Sequence, residues 1–334
     1  MSYTFKYYTD GSREHFSWEA NTRHYATKKT VKKDFEFTQS LLDFLDLSMD
    51  DCLDLFNRMG NEDKKLYEDK NADTVALRNA LDEAAKKHIY FELLRLQWLE
   101  KLDRYIAGDY TGDVRDFLYY KDLNHIPMQI ITAKNKVKFM INKALDNTAD
   151  QEKTVQQRVA ALYAKNADKA FEFRPVTVGF ERMNDSAMAE VLFPDSIFDI
   201  IDFTLREIIR REVGFKVCKS CGKYFPDIAH GNTEFCNRPL GGLTSTGGKT
   251  ADSGKTCRDV GSLTKWKERV AASPAILLYN KHYKTRFSRI RAGKISREIF
   301  QEWAAKARDY RDKVMSGDMS YEKYEAWLKG GYWV

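Results

Sequence analysis

Along most of the chain apolar residues recur every three or four positions, and the pattern predicts a succession of amphipathic helices. Helix is predicted over 34–46, and a second helix opens at Ser48, whose capping pattern is completed by Asp51 and for which Gly60 is the expected stop. In 74–107, Leu77, Leu81, Ala84, His88, Leu99 and Leu102 lie near one stripe, as one long helix or a kinked pair ending at Gly108. Further helix is predicted over 134–144, 148–169 and 196–213, the last from Phe198, Ile201, Leu205 and Ile208 with Gly214 behind it. Only two stretches alternate like strands, 3–8 and 171–180.

Near the carboxy terminus Ser273 and Pro274 form an N-cap and first-turn pair, followed by a stripe of Ile276, Tyr279, Tyr283, Phe287 and Ile290 that stops at Gly293. A short echo follows. Gly293, Ser296, Phe300 and Trp303 are repeated 24 residues later by Gly317, Ser320, Tyr324 and Trp327, which predicts a helical hairpin anchored by aromatic residues.

Composition adds the compartment and the charge. The 334 residues are 43% hydrophobic and 31% charged, which suits a folded chain of one large domain or two and excludes a disordered one. No run of about twenty apolar residues predicts a membrane span, and the first ten residues lack the pattern of a secretory signal, so a cytoplasmic protein is expected. The net charge of +6 is unevenly spread. From Lys216 onward 23 Lys and Arg face 12 Asp and Glu, a net +11, which leaves −5 for the rest.

Four of the five cysteines fall between positions 218 and 257, and such a cluster in a reducing compartment points to a metal ion rather than disulfides. Cys218 and Cys221 have the two-residue gap that lets both sulfurs reach one ion, and Lys216, Lys219 and Lys223 are placed to offset thiolate charge. Cys236 and Cys257 are the expected remaining ligands of a structural Zn²⁺, with His230 the rival for one position. The 20-residue gap between the last two exceeds that of a standard ribbon, and a Gly-, Ser- and Thr-rich insertion over 240–255 accounts for it. Four thiolates close the coordination sphere, so no catalytic residue is assigned.

The run Cys218-Lys-Ser-Cys221-Gly-Lys-Tyr-Phe225, then Phe235-Cys236-Asn-Arg-Pro239, then Gly254-Lys-Thr-Cys257-Arg258, and the basic Tyr283-Lys-Thr-Arg-Phe-Ser-Arg289 carry a resemblance. Over about 197–327 the chain resembles an uncharacterised bacterial and phage family with a split zinc finger. It is more distantly similar to the CGNR-type zinc-finger regulators, from which it departs at Arg258-Asp259 and in the spacing of its last two cysteines. The resemblance implies a helical amino-terminal domain followed by a zinc module. Two nearer temptations fail. Gly-Lys-Thr occurs twice in the insertion, but Leu243 and Lys249 stand where a phosphate-binding loop needs its first glycine. His282 and Arg286 lie too far apart for a tyrosine recombinase.

Between Lys255 and Arg297 twelve basic residues meet only Asp259 and Glu268. Charge of one sign at that density attracts phosphate. The expectation is a mainly α protein with a helical body (1–214), a small zinc-ribbon-like module (215–272) and a basic helical tail (273–334). It would bind DNA or RNA through Lys265, Lys267, Lys281, Lys284, Arg286, Arg289 and Arg291. The alternative is an adaptor or inhibitor that binds a protein handling nucleic acid.

Loop length is thermodynamically cheap, growing only with its logarithm. Replacing 241–252 by a short linker should therefore leave metal content unchanged and lower the melting temperature by no more than about 8 °C, roughly 2 kcal/mol for a domain of this size. A calorimetric melt beside elemental analysis checks it.

Overall fold

The computed structural model describes residues 4–20, 29–69, 73–119, 121–146, 152–184, 187–227, 233–239, 255–261, 263 and 273–330. Two compact units divide the chain, one of Met1–Val217 with Gly222–Thr233, the other of Cys218–Cys221 with Glu234–Val334. The protein is mainly α.

The first unit is built on an antiparallel sheet in the order β3-β2-β1-β5-β4, from β1 Thr4–Thr9, β2 Arg13–Ala20, β3 Lys29–Glu36, β4 Val178–Asn184 and β5 Ala187–Leu192. Register follows side-chain chemistry. Phe5 opposes Trp18, Tyr7 opposes Phe16 and Thr9 opposes Glu14, so every inward position of β1 meets an inward position of β2. Helices α1 Gln39–Asp46, α2 Met49–Glu68, α3 Val75–Lys87, α4 Tyr90–Ala107, α5 Val114–Phe117, α6 Lys121–Met140, α7 Val155–Asn166 and α8 Ile197–Arg210 make up the rest. Phe203 of α8 meets the Tyr7 ring edge-on at 5.7 Å, and Thr204 shares a hydrogen bond with the Tyr7 hydroxyl at 3.0 Å.

Several sequence expectations change here. The 34–46 helix begins only at Gln39, because Asp34, Phe35 and Glu36 complete the pairing of β3 with β2. Helix α2 runs through Gly60 rather than ending there. A Cβ at that position would overlap the side chain of Asn124 on α6, so glycine provides a close approach between helices instead of a stop. The kinked-pair option holds for 74–107. The chain turns extended at His88, whose Nδ1 accepts from the Tyr90 amide at 3.2 Å while Nε2 lies 3.0 Å from the Ser40 carbonyl oxygen. Helix α7 starts at Val155 behind the Thr154–Gln157 capping box, and the 171–180 stretch becomes strand only from Val178.

The second unit has its own apolar core, in which α9 Pro274–Arg291, α10 Arg297–Ser316 and α11 Tyr321–Lys329 bury Tyr279, Phe300, Trp303, Tyr324 and Leu328. The 24-residue echo works as its chemistry predicts. Gly293 and Gly317 adopt left-handed φ of 67° and 87°, and the Ser296 and Ser320 hydroxyls accept from the amides of Ile299 and Lys323. The expected hairpin is completed by α9 into three packed helices.

One buried carboxyl organises the sheet-to-helix turn of the first unit. Glu14 is fully buried and accepts from the Tyr7 hydroxyl (3.2 Å) and from the amides of Thr38 (3.2 Å) and Ser40 (2.9 Å). Thr38 sits at φ 73°, strained for a β-branched residue, and Glu14 holds the amides that this turn exposes. Burial pushes the Glu14 carboxyl up to about 7 against the pull of those hydrogen bonds. Burial also lifts Asp63 to about 7; Lys101 opposes the rise and Asp122 adds to it. A carboxyl raised in the folded state keeps a proton that the unfolded chain releases from about pH 4 upward, so stability is full below that pH and is lost as pH rises through about 7. The urea midpoint of the wild type should fall between pH 5 and 7.5 by the equivalent of roughly 2–4 kcal/mol, and the double variant Glu14→Gln, Asp63→Asn should flatten that fall.

Candidate metal centre

A two-stranded ribbon of β6 Phe215–Val217 and β7 Tyr224–Pro226 carries the first cysteine pair at its turn. Gly222 makes that turn possible with φ 70°, a left-handed value that a side chain would strain. The Lys219 amide donates to the Glu234 carbonyl oxygen at 3.0 Å, which draws the 233–239 segment to the knuckle. The Cys236 amide then donates to the Cys218 sulfur at 3.3 Å, and the Cys221 and Cys236 sulfurs stand 3.7 Å apart. The fourth cysteine arrives by a separate device. The Cys257 amide donates to the Arg238 carbonyl oxygen at 3.0 Å, and an antiparallel bridge between Pro239 and Thr256 closes the base of the insertion.

Cys257 stands in the first turn of a short helical run over 257–261. Thr256 caps it, its hydroxyl accepting from the Asp259 amide at 3.3 Å while the Asp259 carboxylate accepts from the Thr256 amide at 2.9 Å. This Thr-x-x-Asp box is a signal in the sequence that the spacing of cysteines alone does not reveal. The Phe235 ring lies against Gly261, where a Cβ would overlap it, so the residue beside the third cysteine packs on the turn that follows the fourth.

The four sulfurs lie within 4.8 Å of one another and can hold a metal ion. Cys218, Cys236 and Cys257 are buried, and Cys221 is the most accessible of the set. Burial opposes ionisation of Cys218, yet amide donors at Cys236, Cys221 and Ser220 bring its thiol down to about 7. Burial pushes Cys236 up to about 12, and the neighbouring sulfurs add to the rise. Cys257 is raised by burial too. Cys236 and Cys257 thus resist ionisation without a cation beside them, and a divalent ion bound by the set would favour their thiolate forms.

The lysines expected to offset that charge are otherwise engaged. Lys216 pairs with Asp227 at 2.8 Å, Lys219 with Glu234 at 2.9 Å and Lys223 with Asp46 at 3.0 Å, so each already has a carboxylate partner. His230 lies outside the described residues, as do Lys265, Lys267 and nearly all of the insertion. Cys52 is buried in the apolar core of the first unit and is not one of the clustered set.

On α9 the sequence-derived basic residues separate. Lys281, Lys284, Arg289 and Arg291 are exposed. Arg286 is not. It is 7% exposed, with its guanidinium 4.8 Å from the centre of the Trp303 ring. The apolar stripe is wider than its five hydrophobic residues suggest. Positions 275, 279 and 286 share one helical face, so the Arg286 stem is drawn into the core and its head stacks on indole. Arg286 is therefore a packing residue and leaves the set of phosphate contacts.

Substitution separates the metal ligands from the fifth cysteine. Cys218→Ser and Cys257→Ser should each lower bound metal from about one ion per chain to less than half and expose the 234–261 segment to protease. Cys52→Ser should leave metal content unchanged and lower only the stability of the first unit. Elemental analysis and limited proteolysis read the two effects.

Residues 172–329 are similar to a family of unknown function (DUF6076), and this stretch contains all four clustered cysteines. It supports the likeness to an uncharacterised family, while no zinc-finger or CGNR family matches. No curated protein and no solved structure matches the chain.

Proposed function

We propose that the chain is a zinc-stabilised protein that binds nucleic acid through the exposed face of α9. The observation that carries this reading is the charge pattern of one helix. Pro274–Arg291 contains no acidic residue, Tyr279 and Tyr283 of its aromatic stripe pack in the core of the second unit, and Lys281, Lys284, Arg289 and Arg291 remain on the outside. None of these four has a carboxylate partner among the described residues. A single-sign surface of this kind binds polyphosphate by counterion release, without sequence reading.

Zinc is the ion that the donor set favours. Four sulfur ligands select a soft or borderline cation with no demand for water, and a closed tetrahedral sphere has structural rather than catalytic chemistry. The ion would join the 218–221, 236 and 257 segments.

A different feature favours a protein partner in addition. Strand β4 lies at the edge of the five-stranded sheet, where Val178 and Phe180 are 42% and 70% exposed, and Met188 on the neighbouring β5 is 52% exposed. An open apolar edge of this kind can accept an extended segment of another chain as a further strand.

If the four exposed cations neutralise four backbone charges, the logarithm of affinity should fall with the logarithm of salt at a slope of about −3.6 on duplex DNA and about −2.8 on a single strand. Lys281→Glu, Lys284→Glu and Arg289→Glu together should flatten the slope and weaken binding to all sequences alike. Arg286→Ala should instead lower the melting temperature of the second unit while leaving the slope unchanged. Fluorescence anisotropy across a salt series checks both. Unaltered affinity in the triple variant would remove α9 from the interface.

A further inference from the structure

Along one flank of α9 three aromatic rings climb from the core to the surface at intervals of four residues. Tyr279 is buried and lies parallel to Trp303, with 2° between the planes; Tyr283 is half-buried; Phe287 is 41% exposed. The Tyr283 and Phe287 rings are nearly parallel, 7° apart in plane and 6.2 Å between centres, and the edge of Phe300 supports both. The ladder ends on a cation. The Arg291 guanidinium lies 5.5 Å from the centre of the Phe287 ring, and Lys284 occupies the turn before it.

We propose that Phe287 is a stacking platform for an unpaired base and that the nucleic acid bound by this chain is single-stranded; this rests on the reading of α9 as a phosphate-binding face. A base takes about 3.4 Å of a stack, so two planes that enclose one stand about 7 Å apart. The 5.5 Å from the Arg291 guanidinium to the Phe287 ring centre is the most that can separate them along the ring normal, so a base enters only when Arg291 moves aside. Arg291 is exposed and unbranched, so a change of rotamer opens the slot and leaves a base between a π face and a guanidinium. Lys284, one turn before Phe287 on the same helix, then takes a flanking phosphate. A duplex cannot use this site, because each of its bases already has neighbours on both faces. Aromatic rings beside cations on one helix face are the chemistry by which single strands are held without regard to sequence.

The test compares the full chain with labelled oligothymidine of about 15 nucleotides and with a duplex of equal length, at matched salt. Phe287→Leu keeps apolar contact with Phe300 and removes the π face, so single-strand affinity should fall about ten-fold while duplex affinity and salt slope stay as they were. Phe287→Trp should retain affinity, and its added indole emission should be quenched when oligothymidine binds. The proposal is overturned if the leucine variant loses less than two-fold on the single strand, if it loses equally on duplex, or if the introduced tryptophan is not quenched. Failure of the wild type to bind either probe at low salt would instead overturn the assignment of α9 as a nucleic-acid interface, and this proposal with it.

Discussion

Four sulfur atoms within 4.8 Å of one another set the constraint on which the middle of this protein depends. Two unit charges about 4 Å apart repel by roughly 4 kcal/mol even at an effective dielectric of 20, so a set of thiolates at this spacing requires a cation. The need is mutual. Cys218, Cys236 and Cys257 are buried, yet none belongs to the apolar core of either unit, and no described residue of 234–261 joins the core of the second unit. Among the described residues the segment buries its ligands without an apolar cluster of its own. A metal ion is the interaction that can take the place of one, as in small metallo-domains generally.

Polar groups do comparable work in the first unit. Glu14 ties β2 to the amides at the start of α1, and the same layer contains Tyr7, Tyr90, Ser40 and Thr204 joined by hydrogen bonds. These bonds link β1, β2, α1, α4 and α8, so the sheet and the helices that cover it are held in one register. Aromatic packing supports the arrangement, with Phe16 between Tyr7 and Phe35.

Arg286 shows how one face of a helix can combine stability and charge. Its guanidinium stacks on Trp303, and Arg311 lies similarly over Tyr279 at 5.2 Å. Cations therefore contribute to the core of the second unit as well as to its surface. A count of basic residues overstates the charge available to a partner, and the exposed subset, with Phe287 beside it, is the more informative quantity.

Much was legible in the sequence because its causes are local. Helix periodicity, the capping residues Ser273, Ser296 and Ser320, the left-handed stops Gly108, Gly293 and Gly317, and the cysteine knuckle each depend on residues a few positions apart. Strands β2, β3 and β5 were not legible. Strands β2 and β3 pair with near neighbours, but the charged Glu14 on the buried face of β2 and the run of lysines in β3 obscure the alternation, whereas β5 pairs with a partner from the far end of the chain, where Leu192 meets Tyr7. The same reason explains Gly60, read as a stop until Asn124 fills the space beside it, and Arg286, polar by type and buried by place. The sequence by itself determined which residues can ligate, cap or carry charge. Tertiary structure alone decided which of them meet, because burial and pairing are properties of elements far apart in the chain.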